Sequence, residues 1–115
     1  MVFNYNKIKS EDLGDGVSRK VLAYDGKLMS VEVSFKKGSI GKMHTHPHEQ
    51  ISVVISGKFE YNENGKKTVI EKGDSYYVKG GVEHGVIALE DGILLDIFTP
   101  IREDFLNWPY ICTFY

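Results

Sequence analysis

The segment GSIGKMHTHPHEQISVVISG, residues 38–57, carries two signals that meet at one point of the chain. Its first half places histidines at 44, 46 and 48, three of the four in the sequence. Its second half alternates: Gln50, Ser52 and Ser56 fall on one parity, Ile51, Val53 and Ile55 on the other. That is the period of a half-buried strand, whose successive side chains point to opposite faces. His44, His46 and Gln50 share a parity, so extended backbone presents all three to one side. The run is internal and interrupted by Thr45 and Pro47, which a purification tag would not be.

The alternation extends outward in both directions. In KLMSVEVSF, residues 27–35, Met29, Val31, Val33 and Phe35 oppose Ser30, Glu32 and Ser34. In ILLDIF, residues 93–98, Ile93, Leu95 and Ile97 oppose Leu94, Asp96 and Phe98. Asn64-Gly65 and Asp91-Gly92 are dipeptides that accept the positive φ of a two-residue hairpin turn. Gly57, Gly73-Asp74 and Gly80-Gly81 mark further turns. No helical period runs between residues 18 and 99, and only REDFLN, residues 102–107, can make a helical turn before Pro109. About eight short strands and no linker predict an all-β sandwich or barrel.

Composition narrows the function classes. A chain of 115 residues fits one domain, spanning 1–115, with a single core. A net charge of -2 supplies no basic field for nucleic acid. No apolar stretch approaches the ~20 residues of a membrane-spanning helix, so no membrane partner is expected. The opening MVFNYNKIKS lacks the apolar core of a secretory signal, and the single Cys112 can form no internal disulfide. Both point to the cytoplasm. Cys112 has no basic neighbour to activate it and reads as a passive thiol.

The histidines are the chemistry. A His-x-His pair on a strand means little alone, because alternation puts both rings on one face in any protein. Here His84 follows the Gly-rich turn KGGVE and opens a further strand, HGVIAL, so an antiparallel neighbour brings it to the same point. Three imidazoles converging inside a barrel are a usual means of holding a divalent transition metal at ~2.0–2.2 Å.

The spacing Gly38-x5-His44-x-His46-x3-Gln50-x6-Gly57 resembles the first cupin motif. Gly73-x5-Lys79-x-Gly81-x2-His84-x3-Ala88 resembles the second, with Lys79 in place of a Pro and Ala88 in place of an Asn. The resemblance implies a cupin double-stranded β-helix, a jelly-roll barrel, with motifs at 38–57 and 73–88. It also implies His44, His46, Gln50 and His84 as metal ligands, Gln50 standing where the family usually has Glu. A neutral amide leaves the ion more positive, which favours polarising a substrate oxygen over activating dioxygen. Ni, Zn, Mn, Fe and Co all suit such a set. Glu49 has the opposite parity and is expected at the solvent. His48 has the ligand parity but follows Pro47, whose fixed φ lifts the backbone.

A narrower resemblance comes from HTHPHEQ together with DIFTPIREDFL, which look like the KdgF-type pectin-degradation cupins. Their Asp-x-Phe-x-Pro-x-Arg segment is matched by Asp96, Phe98, Pro100 and Arg102. This implies Asp96, Phe98 and Arg102 around a small anionic sugar, a 4,5-unsaturated monouronate from pectin or alginate converted to its linear keto form. The residues themselves are compatible with that. A carboxylate on the apolar strand of Asp96 is costly unless paired or coordinating; the plainer reading is a strand-end Asp bonded to Arg102. Arg102 offers a planar fork for a carboxylate; the plainer reading is a surface pair with Glu103 or Asp104. Glu32 and Tyr77 are further candidates for the cavity wall. Small cupins often form homodimers, and the aromatic tail NWPYICTFY can cover a partner's edge strand or its own barrel. An iron-dependent cupin dioxygenase and a non-catalytic metal- or sugar-binding cupin remain as alternatives.

Overall fold

The structure, a computed structural model, describes residues 1–106. Ten strands follow one another: β1 (Glu11–Gly14), β2 (Val17–Asp25), β3 (Leu28–Phe35), β4 (Ile40–His44), β5 (Glu49–Ser56), β6 (Lys58–Glu63), β7 (Lys66–Glu71), β8 (Ser75–Val78), β9 (His84–Ala88) and β10 (Gly92–Thr99). A single helical turn, α1 (Glu103–Leu106), closes the described chain. The strands form two antiparallel sheets, one in the order β1-β2-β3-β10-β5-β8 and one in the order β4-β9-β6-β7. The expected class is therefore observed, with ten strands rather than about eight. The difference lies largely at the N-terminus, where Asp15-Gly16 turns β1 into β2 with both residues at positive φ. Among the described residues no helix is long and apolar enough to cross a membrane.

Alternation fills the space between the sheets. Met29, Val31, Val33 and Phe35 of β3 are all buried, as their parity predicts. They pack with Val54, Phe59, Val86, Ala88 and Leu94 into an apolar core. On β5 the inward side is Gln50, Ser52 and Val54, whereas Ile51 and Ile55 face out. On β10 it is Leu94, Asp96 and Phe98. The register pairs Leu94 with Val54, Asp96 with Ser52 and Phe98 with Gln50. Each step of two residues advances ~6.6–6.8 Å along the strand. The interior thus passes from apolar at one end to polar at the other within two such steps.

Two glycines make the geometry feasible by lacking a side chain. Asp91-Gly92 is not the hairpin turn that its sequence predicts: β9 pairs with β4 and β6, β10 with β3 and β5, and the chain crosses between sheets there. A Cβ on Gly92 would stand 2.7 Å from the Ser56 carbonyl and 2.8 Å from the Phe59 ring, so close packing demands the glycine. Gly85 answers a bulge. The β4–β9 register shifts between Gly41 and His44, which turns His44 inward opposite His84. Such bulges re-aim a side chain at the local expense of ladder pairing. A Cβ on Gly85 would lie 2.7 Å from the Gly41 carbonyl and 2.9 Å from Met43 Sδ, in the space the bulge occupies.

Replacing Gly85 by alanine should therefore push β4 off β9. We expect a loss of about 1–3 kcal/mol in urea unfolding, the usual range for overpacking. A larger fractional loss of metal affinity should accompany it, because His44 and His84 sit on the two displaced strands. Unchanged values for both would refute the role given to the bulge.

Candidate metal centre and adjoining pocket

His44 closes β4, His84 opens β9 directly across from it, and His46 stands in the loop leading to β5. Their ring centroids are 4.5 Å (His44–His84), 4.9 Å (His46–His84) and 5.4 Å (His44–His46) apart. One nitrogen from each ring falls within 4.8 Å of the others. All three rings are buried.

Each ring is oriented by a carbonyl two residues away. His44 Nδ1 lies 2.7 Å from the Lys42 oxygen, His46 Nδ1 3.0 Å from that of His48, and His84 Nδ1 3.0 Å from that of Val82. A carbonyl only accepts, so Nδ1 carries the proton in His44 and His84, and in His46 whenever Nε2 faces a cation. The lone pair of a neutral imidazole is then on Nε2. Burial keeps the rings neutral. It lowers His44 to about 4 against the bond to Lys42, with His84, His46 and Arg102 lowering it further. It lowers His46 to about 4 and also depresses His84.

Gln50 completes the cluster. Its Oε1 lies 2.9 Å from His46 Nε2, so both nitrogens of His46 face oxygen acceptors. A neutral ring satisfies only one of them; a cation in front of Nε2 and Oε1 satisfies both. His84 Nε2 is buried with no hydrogen-bond partner. Three imidazole lone pairs and an amide oxygen turned toward one another form a neutral donor set that fits a divalent transition metal. Glu49 is exposed and accepts a bond from Tyr77 Oη at 2.6 Å, on the outer surface. His48 is outside the cluster and meets the edge of Phe98 at a centroid distance of 6.4 Å.

One step deeper, Asp96 is fully buried in the middle of its strand, not at its end. Its Oδ1 accepts from Ser52 Oγ at 2.5 Å, while Oδ2 has no partner. Burial pushes this carboxyl up to about 7, against the Ser52 bond and the charge of Arg102, which pull it down. The expected alternative of a bond to Arg102 is thus replaced by one to Ser52. That serine has the parity of Gln50 and is the signal by which it could have been found.

Arg102 is buried rather than on the surface, yet it is paired with Asp104 through Nε at 3.0 Å and Nη2 at 2.8 Å. Burial acts to raise the Asp104 carboxyl, but those bonds and the Arg102 charge outweigh it and hold it low. The fork expected for a ligand is therefore occupied along one edge. The other edge, including the unpartnered Nη1, remains. The guanidinium rests 4.1 Å from the Phe105 centroid and 5.1 Å from that of Phe98. Arg19 stacks on the same Phe105 at 3.9 Å, a buried charge that no sequence signal announces. Of the remaining candidates, Glu32 accepts from Tyr5 on an exposed face, and Tyr77 is exposed. Neither turns toward the histidine cluster, because their parity on β3 and β8 points outward. Cys112 and the aromatic tail lie outside the described residues.

Residues 31–98 match the family model described as Cupin domain. This protein is a cupin. Over 84% of this cupin and 89% of its relative, it is 45% identical to the pectin degradation protein KdgF of Dickeya dadantii. Among solved structures it resembles an RmlC-like cupin from Shewanella frigidimarina, with 39% identity, a TM-score of 0.87 and coverage of 90% and 94% of the two chains. KdgF from Halomonas sp. is similar at 34% identity and a TM-score of 0.86, with 91% and 99% covered.

For this cupin, His46→Ala should abolish tight binding of zinc or nickel, and Glu49→Ala should leave metal content near that of the parent. Elemental analysis after dialysis decides it. A Glu49 variant that loses metal while Gln50→Ala retains it would reverse the assignment.

Proposed function

We propose that this protein acts in pectin or alginate breakdown by converting 4,5-unsaturated monouronates to the linear keto form. The role follows that named for the Dickeya relative, which is similar over most of both chains. The observation that carries the reaction is Asp96: a carboxyl poised near neutrality, with one oxygen unpartnered, joined through Ser52 to the Gln50 that faces the histidine cluster.

The substrate is a hemiacetal at C1 whose ring oxygen is also the enol-ether oxygen at C5. Ring opening breaks the bond from C1 to the ring oxygen, and the C1 hydroxyl gives up its proton to become an aldehyde. The bond's electron pair stays on the ring oxygen as an enolate at C5, which becomes a ketone when C4 gains a proton. One proton leaves oxygen and one arrives at carbon, so the conversion is an isomerisation. Asp96, near 7, can hold the proton in one half and release it in the other. The unoccupied edge of Arg102 receives the substrate carboxylate. Phe98 packs between His46, His48 and Phe105 and keeps water from the interior there. A divalent metal on His44, His46, Gln50 and His84 would supply Lewis-acid polarisation of a substrate oxygen.

The test is loss of ultraviolet absorbance from 4,5-unsaturated galacturonate, measured with and without chelator and with and without oxygen. Turnover should require metal and be indifferent to oxygen; dependence on oxygen would favour a dioxygenase instead. Asp96→Asn should lower kcat by ~10²–10⁴, the range of general acid–base help, with a smaller change in KM. Arg102→Lys keeps the charge but loses the planar fork and should chiefly raise KM. Parent rates in both variants would defeat this reading.

We further propose a homodimer through the outer face of the larger sheet. Ile51, Ile55 and Tyr77 are exposed there by 47%, 44% and 51%, and Ile51 pairs with Ile97 and Val53 with Leu95 beside them. An apolar strip across three adjacent strands is unusual for a surface left to water. Ile51→Glu should yield a monomer by sedimentation; a parent that is already monomeric would exclude the dimer.

A further inference from the structure

Ser52 stands between two groups that the proposed reaction uses, and its single hydroxyl proton governs how both are turned. Gln50 Nε2 donates to Ser52 Oγ at 2.8 Å, and Ser52 Oγ donates to Asp96 Oδ1 at 2.5 Å. Gln50 is 2% exposed, and Ser52 and Asp96 are fully enclosed, so water does not compete for these bonds. An amide N–H can only donate. The Ser52 oxygen must therefore accept from Gln50, and its proton is left for Asp96. The chain of bonds runs in one direction.

Two consequences follow from that direction. Committing the Gln50 nitrogen to Ser52 forces Oε1 toward His46 Nε2, 2.9 Å away, which bears a lone pair when Nδ1 donates to His48. The flipped amide would bond His46 more comfortably, donating N–H to that lone pair. It would then present Oε1 to Ser52, and draw the serine proton away from Asp96. At the other end, Oδ1 is held as an acceptor. A proton on Asp96 must then sit on Oδ2, the oxygen with no partner.

We propose that Ser52 is a positioning residue, which aims the amide oxygen of Gln50 at the histidine cluster and reserves Oδ2 of Asp96 for the transferable proton. The second half rests on the role given to Asp96 above; the first does not. The same arrangement explains why residue 50 is Gln. A Glu at that position has no N–H to give, so two buried carboxylates would compete for one hydroxyl proton. The match is reciprocal: with Glu at 50 and Asn at 96, the Asn nitrogen would donate to Ser52 and Ser52 to Glu. The chain would run the other way, fully bonded.

The experiment combines zinc affinity, by chelator competition, with thermal unfolding of the metal-free protein and uronate turnover. Ser52→Ala should weaken zinc by ~10–100-fold, as removal of a ligand's supporting bond commonly does. It should also lower kcat more than it raises KM. Ser52→Thr, which keeps the hydroxyl, should restore much of both. Gln50→Glu should lower the melting temperature of the metal-free protein, and Gln50→Glu with Asp96→Asn should recover it without recovering turnover. Zinc affinity unchanged in Ser52→Ala, or no recovery in the double variant, would overturn the inference. If the parent turns over no unsaturated uronate, the proposed function and the Asp96 half fall together, while zinc affinity and melting still decide the Gln50 half.

Discussion

The antiparallel register between β5 and β10 fixes where every polar group inside the barrel stands. Because Leu94 meets Val54, Asp96 meets Ser52 and Phe98 meets Gln50, a shift of β10 by one residue would send Leu94, Asp96 and Phe98 to the opposite face. Its share of the apolar layer would face water, and the carboxylate would part from Ser52. The register is secured on the far side as well, where the same strand lies against β3 from Gly92 to Phe98. Gln50, Ser52 and Asp96 therefore stand on the central strands β5 and β10, and their precision is that of the sheet rather than of a loop. His46 and Arg102 stand off the strands, the first held by its carbonyl contact and the second by Asp104.

Burial does opposite things to the two kinds of titratable group gathered here. It depresses the imidazoles, keeping their lone pairs available, and it raises the Asp96 carboxyl into the range where a proton can be both held and given. Both effects weaken the fold in different windows of pH. Between about 6.5 and 4 the unfolded chain takes up protons that folded His44 and His46 refuse, so their contribution to stability is lost as pH falls. Asp96 runs the other way: its neutral form is the one the fold accepts, so its burden grows as pH rises toward 7. The apolar end of the barrel has to carry the cost of both.

Much of this was legible in the sequence because a strand declares its parity. His44, His46 and Gln50 were expected on one side and are found together, and Glu49 lies outside. Parity, however, does not say which side faces in. On β5 the strip of Ile51, Val53 and Ile55 looks like a core face, yet the inward face is the one with Gln50 and Ser52, since both sides of this strand carry apolar residues. The inward turn of His44 depends on a bulge opposite Gly85, a defect in the period that periodicity cannot reveal. The bond from Ser52 to Asp96 spans 44 positions and exists only once the two strands pair. Arg19 owes its place to tertiary contact with Phe105, and nothing local marks it, whereas the Arg102–Asp104 pair is local and only its burial depends on the fold.

His44 and His84 belong to the smaller sheet, whereas Gln50 belongs to the larger. An ion held by all of them is then a clasp, at this end of the barrel, between two layers packed side chain against side chain. Its effect would be uneven along the barrel. Amide hydrogens of β4, β9 and the start of β5 would exchange slowly with the clasp shut and quickly with it open. Those around Phe35, Phe59 and Leu94, sealed by the apolar core, would register little difference. The barrel would open at its mouth long before it came apart.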